Sequence, residues 1–300
     1  MLNQMRDDFC AFILTHGRPD KVLTYKTLLN AGYTGKIYIV IDNEDKTEAR
    51  YRENFGDRVL QFDKAAAAQT FDEGDNFNDR RAIIYARNSC WELARQVGCK
   101  YFIQLDDDYG SFFLRNDSRL NHVNARIKTS MDDLLNSAIE FFLCAHLHSV
   151  ALSQGGDHMG DGVGKGVSLR RKCMNSFICS IDRQFQFFGR INEDVNTYTT
   201  LGRRGDLFFT ILQAQLNQAQ TQKTAGGMTN LYLDSGTYIK SFYSVMYCPS
   251  SVKVGTLIDP RESSHPRIHH KINWPTTAPK IIRESHRKTI SANSGKRPQP

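Results

Sequence analysis

The sequence predicts an α/β fold built on a mostly parallel sheet, and two observations carry that reading. Over the first 110 residues, apolar runs of about six residues alternate with segments of 3.6-residue periodicity, the pattern of βαβ units. The apolar runs also end in polar or acidic clusters, as strands do where they enter the loops of an open sheet. In order, FCAFILT reads as the first strand, DKVLTYKTLLNAG as an amphipathic segment, KIYIVID as the second strand and EDKTEARYRENFG as a charged stretch. RVLQFD is the third strand, RRAIIYARNSCWELARQVG a helical pattern, and KYFIQLDDD the fourth strand. Gly32 and Gly98 fall where helix C-caps are expected.

Beyond residue 110 the pattern is less regular. MDDLLNSAIEFFLCA reads as a helix, HSVALSQ and VSLRRKCMNSFICSID as strands, and DLFFTILQAQL fits either. This half is expected to be α+β. GGDHMGDGVGKG packs six glycines into twelve residues without the spacing of a P-loop, so it reads as a surface loop or a lid. The expected partition is 1–115 for a nucleotide-binding half, 116–275 for the acceptor-side half of the same domain, and 276–300 for a basic tail.

Composition narrows the class. A chain of 300 residues with 40% hydrophobic and 24% charged residues can bury a substantial core. The longest apolar stretch, FFLCAHLHSVAL, is far too short to span a membrane, and MLNQMRDDF lacks the apolar centre of a signal peptide, so a cytoplasmic protein without membrane attachment is expected. Seven scattered cysteines with no C-x-x-C pair read as reduced core residues. The net charge of +7 resides entirely in residues 261–300, where nine Lys/Arg face Glu262 and Glu284. Such a tail is either solvated or suited to a polyanion such as nucleic acid.

Ligands of an open parallel sheet bind outside the carboxyl ends of its strands. Thr15 to Pro19 close the first strand, Asp42 and Asn43 the second, and Asp106, Asp107 and Asp108 the fourth. Adjacent carboxylates about 4 Å apart repel by roughly 4 kcal/mol at an effective dielectric near 20. They therefore share a proton or hold a cation, and oxygen ligands select Mg²⁺ or Mn²⁺, which completes its shell with water and substrate phosphate. A substrate carrying a diphosphate follows.

ILTHGRP on the first strand, an acid closing the second, the ARN of the helix (Ala86, Arg87, Asn88) and D-D-D closing the fourth resemble the nucleotide-sugar-dependent glycosyltransferases of the GT-A fold, a Rossmann-like architecture. The resemblance covers about the first 115 residues. It implies that Asp106 contacts the nucleotide ribose or sugar, that Asp108 ligates the metal with Asp106, and that Asp107 belongs to the same D-x-D motif. It implies further that Asp42 meets the base, that Thr15 and Arg18 lie beside the nucleotide, and that Arg87 or Asn88 lies near the diphosphate or donor sugar. FFGRINEDVN resembles the acid pair of inverting members, with Asp194 as general base and Glu193 beside it to orient the acceptor. In SSHPRIHHKINWP, His270 or His269 would complete the metal shell or hold the diphosphate.

A more specific resemblance joins ILTHGRPDKVLTYKTLLNAGYTGKIYIVIDNED, the RRAIIYARN…YFIQLDDDY block and HHKINWP to the phage glycosyltransferases associated with TET/JBP-type pyrimidine hydroxylases. It implies transfer of a sugar, with UDP-glucose the favoured donor, to the hydroxymethyl group of a modified pyrimidine in phage DNA, in the host cytoplasm. Phe185, Phe187, Phe188 and Trp274 are candidate base platforms or core residues. Lys165, Arg170, Arg171, Lys172, Arg203 and Arg204 either line a DNA channel or form a solvated face. Cytosine or uracil base and inverting or retaining outcome stay open. The competing readings are a GT-A enzyme acting on a polysaccharide, cell-wall or protein acceptor, a non-catalytic DNA-binding relative, and a metal-dependent nucleotidyltransferase or nuclease.

Overall fold

The computed structural model describes residues 4–75, 77, 79–158, 167–168, 170–218, 239–257 and 267–284. The tail beyond 284, the centre of the glycine-rich loop with Lys165, and His265 lie outside the described residues. The predicted alternation is present in the first half: β1 (Phe9–Leu14), α1 (Leu23–Asn30), β2 (Lys36–Asp42), α2 (Glu48–Phe55), β3 (Val59–Phe62), α3 (Lys64–Ala68), α4 (Ile84–Gln96) and β4 (Tyr101–Asp106). β5 (Tyr109–Asn116), β6 (His122–Arg126), α5 (Met131–Cys144), β7 (Ser149–Ser153), β8 (Val167–Ser168), β9 (Ser176–Ser180), α6 (Glu193–Gly202) and β10 (Phe208–Gln218) follow. A helix α7 (239–247), the β11 (Val252–Leu257) and β12 (Arg267–Ile272) hairpin, and α8 (Trp274–Thr277) complete the described chain.

One ten-stranded sheet runs in the order β3-β2-β1-β4-β9-β7-β10-β5-β6, with β8 also paired to β10. β3, β2, β1 and β4 are mutually parallel, which is the Rossmann-like half. Beyond β4 the sheet is mixed: β9 is antiparallel to β4, β10 is parallel to β7, and β5 is antiparallel to β10. DLFFTILQAQL, compatible with either element, is strand, and its eleven residues bridge β7 and β5.

β1 is buried along its whole length, as a central strand covered on both faces must be. Its side chains alternate between two apolar layers: Phe9, Ala11 and Ile13 join Leu28, Leu135 and Phe142 under α1 and α5, while Cys10, Phe12 and Leu14 join Trp91 and Phe102 under α4. Phe185 and Phe187 pack on Trp91 in the second layer, at ring-centroid distances of 5.0 and 6.1 Å, so both are core residues. The cysteines are all free thiols, and six of the seven are buried. Among the described residues no helix is long and apolar enough to cross a membrane.

Gly32 and Gly98 follow α1 and α4 at φ of 81° and 68°, the left-handed conformation expected of residues that end helices. At Gly32 a Cβ would also lie 2.6 Å from the Thr129 Cα. Gly32→Ala is therefore expected to cost at least about 2 kcal/mol, the left-handed penalty of roughly 1–2 kcal/mol plus the backbone clash. A urea midpoint unchanged from wild type would contradict this packing.

Candidate active site

The three carboxylates that end β4 take three different sets of partners. Asp106 accepts from Arg87 Nη2 at 3.0 Å. Asp107 accepts from Thr15 Oγ1 at 2.6 Å and lies 3.1 Å from Arg18 Nη2, so it is buried and paired. Asp108 accepts through Oδ2 from Gln218 Nε2 at 3.3 Å, whereas its buried Oδ1 has no partner among the described residues. The turn that carries them is held by α1: Thr24 Oγ1 donates to the Asp106 carbonyl at 2.6 Å and accepts from the Tyr109 amide at 2.9 Å, and Thr27 Oγ1 donates to the Tyr109 carbonyl.

Arg87 is buried on α4 and also donates through Nε to Glu193 Oε1 at 2.9 Å, which ties the tip of β4 to the first turn of α6. Its guanidinium lies over the Phe177 ring, 4.9 Å from the centroid. Asn88 uses both ends of its amide on the backbone of Phe187, at 2.9 and 2.8 Å. Asp42, at the end of β2, accepts from His16 Nδ1 at 2.7 Å and Lys64 Nζ at 3.3 Å. Burial pushes the Asp42 carboxyl up, but His16 and Lys64 together hold it below its ordinary value. The polar groups at the strand ends thus form separate sets: Asp106 with Arg87 and Glu193, Asp107 with Thr15 and Arg18, Asp108 with Gln218, and Asp42 with His16 and Lys64.

α6 starts from Asn192, at φ of 56°, a left-handed position that asparagine tolerates, and its amide donates to the Lys240 carbonyl and to Ser244 Oγ of α7. Asp194 accepts from the Val195 amide at 2.7 Å, its only side-chain hydrogen bond among the described residues. Lys172, in the turn before β9, is partly buried there. Burial lowers the pKa of its ammonium, Asp194 favours its charged form, and Lys240 opposes it. Sequence reasoning grouped Lys172 with Arg170 and Arg171, either lining a DNA channel or forming a solvated face. Its position directly before the buried Cys173 and the apolar strand β9 was the signal that it turns inward.

His270, on β12, is buried with both ring nitrogens unpartnered among the described residues. Its pKa is pushed down to about 2 by burial and by Lys172, His269 and Lys240. The His269 ring lies against it, with centroids 4.2 Å apart and planes tilted by 33°. No three His, Cys, Asp or Glu residues converge as a ready metal shell among the described residues. Also unforeseen were Thr24, Gln218 and the second buried arginine, Arg190. Arg190 donates to Asp75 at 2.8 and 3.0 Å, and Tyr243 donates to the same carboxylate.

A Rossmann-like half with an acid-tipped fourth strand fits a glycosyltransferase, and the family comparison shows that class. The sequence profile described as TET-Associated Glycosyltransferase matches residues 9–227, and the chain belongs to that family. Among solved structures, one titled "Crystal Structure of a Mycobacterial Protein" is similar at 10% identity and a TM-score of 0.44, over 89% of this chain and 84% of that one. A comparison with curated proteins found no match.

Burial raises the Asp106 carboxyl to about 7; Arg87 opposes the rise, and Asp108, Glu193 and Asp107 add to it. Asp107, Asp108 and Glu193 are raised as well, each first by burial. A carboxyl raised in the folded state keeps protons that the unfolded chain has released, so its contribution to stability is full below its ordinary value of 3.8 and is lost as pH rises through about 7. In chelator, unfolding free energy is expected to fall across that window, and Asp106→Asn should make the fall shallower. Urea midpoints measured from pH 4 to 8 that are identical for the two proteins would refute this.

Proposed function

We propose that the protein transfers a sugar, glucose in the favoured case, from a nucleotide diphosphate sugar to the hydroxymethyl group of a modified pyrimidine in DNA. The observation that carries this reading is the Asp106–Arg87–Glu193 bridge, because it fastens the acid pair of α6 beside the carboxylate tip of β4. Family membership supports the reaction class and the association with modified pyrimidines. The basic balance of residues 261–300 favours a polyanionic acceptor.

The residues at the tip fit a divalent cation. Asp108 has a buried oxygen without a partner among the described residues, and the carboxyls of Asp106, Asp107 and Asp108 are all raised, each first by burial, which is the electrostatic deficit that a cation relieves. Asp108 with Asp106 would hold Mn²⁺ or Mg²⁺, the remaining positions going to water and phosphate, and such an ion offsets charge on a departing diphosphate. Asp107 acts behind them, fixing Thr15 and Arg18 at the end of β1 beside the nucleotide. Asp42, with His16, stands at the end of β2 for the base. His270, buried with neither ring nitrogen partnered among the described residues, is the candidate to complete the metal shell or hold the diphosphate.

Asp194 takes the proton from the acceptor hydroxyl as that oxygen bonds to the anomeric carbon and the bond to the diphosphate oxygen breaks. Glu193, committed to Arg87, positions the first turn of α6 so that Asp194 meets the acceptor. Incubation with Mn²⁺, a panel of nucleotide sugars and hydroxymethylated DNA, followed by weighing of the digested nucleosides, should show the gain of one hexose. Asp108→Ala should abolish the Mn²⁺-dependent product, and undiminished turnover would remove Asp108 from the metal site. Asp194→Asn should lower kcat by about 10²–10⁴-fold, the usual worth of a general base, with donor affinity intact. A loss of donor affinity alone would reassign Asp194.

A further inference from the structure

At the far end of α6, away from the strand tips, the turn after Gly202 and the segment 275–284 enclose a cavity of about 510 Å³. Arg203, Arg204, Lys280 and Arg283 line it against a single acid, Glu284. Close backbone contact builds this groove. Gly205 has φ of 99°, and a Cβ there would lie 2.7 Å from the Arg283 amide nitrogen and 2.8 Å from the Ile281 carbonyl oxygen. Glycine at 205 is what lets the 281–283 segment lie against the end of the helix. Arg283 Nε is 3.5 Å from Asp206 Oδ1, and Arg203 Nη1 donates to Ser250 Oγ at 2.8 Å, so both side chains have a fixed anchor. Arg203, Arg204 and Lys280 are exposed, and none has a carboxylate partner among the described residues.

We infer that this groove grips the sugar–phosphate backbone of the nucleic acid whose pyrimidine is modified, a conclusion that rests on the acceptor reading above. Three features favour phosphate over a protein carboxylate or a small anion. Arginine forks match phosphate oxygens in pairs, and three of the four cations are arginines. The cations come from two segments, Arg203 and Arg204 from the turn after α6 and Lys280 and Arg283 from 275–284, so more than one phosphate of a strand can be met. Its distance from the acids also suits a polymer. α6 carries Glu193 and Asp194 at its first turn and the groove at its end, and ten helical residues rise about 15 Å. That equals four to five steps of a strand at roughly 3.4 Å each. The base in the site and the phosphates in the groove would belong to one molecule, separated by a few nucleotides.

The test compares a hydroxymethylated 20-mer duplex with a trinucleotide of the same central sequence, using the nucleotide sugar that supports transfer. Wild-type KM is expected to be about tenfold lower for the 20-mer, because only the longer acceptor reaches the groove. Arg204→Glu with Lys280→Glu should erase that advantage while leaving kcat, donor KM and trinucleotide KM unchanged. For two lost phosphate contacts, the slope of log affinity against log salt should shrink by about 1.8. Lys26→Glu with Arg119→Glu, the same charge change outside the groove, should leave the 20-mer KM unaltered. Equal KM for the two acceptors in wild type, an unchanged KM and salt slope in the groove variant, or an equal loss in the Lys26/Arg119 control would each overturn the inference while the acceptor reading stands. Failure of wild type to modify either acceptor would instead defeat the acceptor reading and the groove's role with it.

Discussion

A single buried cation holds this site together. Arg87 stands between Asp106 at the end of β4 and Glu193 at the start of α6, and neither carboxylate could be packed there without it. Removing one partner of a buried ion pair typically costs about 3–5 kcal/mol, because the charge left behind is desolvated and unpaired. Here the loss would leave two. Arg87 is itself held in place, with its carbonyl accepting from Gln104 Nε2 of β4 at 3.0 Å and its guanidinium packed on Phe177 of β9. The side chain that balances the charges therefore also fixes the distance between a strand tip and a helix more than 80 residues later in the chain.

That constraint explains why three consecutive aspartates at one strand end are tolerated. Asp106 is balanced by Arg87 from below, and Asp107 by Thr15 and Arg18 from the neighbouring strand β1. Among the described residues Asp108 has only Gln218, from the end of β10, on one of its oxygens. Asp106 and Asp107 thus meet cationic partners within the fold, while Asp108 keeps a buried oxygen without a partner among the described residues. The incompleteness sits at the carboxyl edge of a parallel sheet, where helix and loop geometry already favours ligands.

The first half of this arrangement was legible in the sequence, because strand periodicity and the rule that ligands meet strand ends both act locally. ILTHGRP, KIYIVID and YFIQLDDD each announce a strand and its polar terminus within eight residues. What could not be read depends on partners far apart in the chain. Nothing near Asp75 indicates that Arg190 will be buried against it, 115 residues away, or that Tyr243 will share it. DLFFTILQAQL is ambiguous because its apolar run is nearly continuous, and it becomes a strand only when β7 and β5 offer it edges on both sides. Lys172 is hidden for a related reason: a charge run does not say which of its members the next strand will pull inward.

The acid pair shows how neighbouring residues acquire different chemistry from helix geometry alone. Successive residues of an α-helix point about 100° apart, so Glu193 and Asp194 cannot face the same partners. Glu193 turns to the sheet and is taken by Arg87, while Asp194 turns to the side where Lys172 and Tyr198 respond to its charge. Asn192 sets this rotation, since its left-handed backbone starts the helix and its amide locks the start against α7. A helix begun one residue earlier or later would rotate both acids by about 100° and turn Glu193 away from Arg87. The division of labour between an acid that builds the site and an acid that can meet an acceptor therefore rests on where α6 begins, which Arg87 and Asn192 determine from opposite sides.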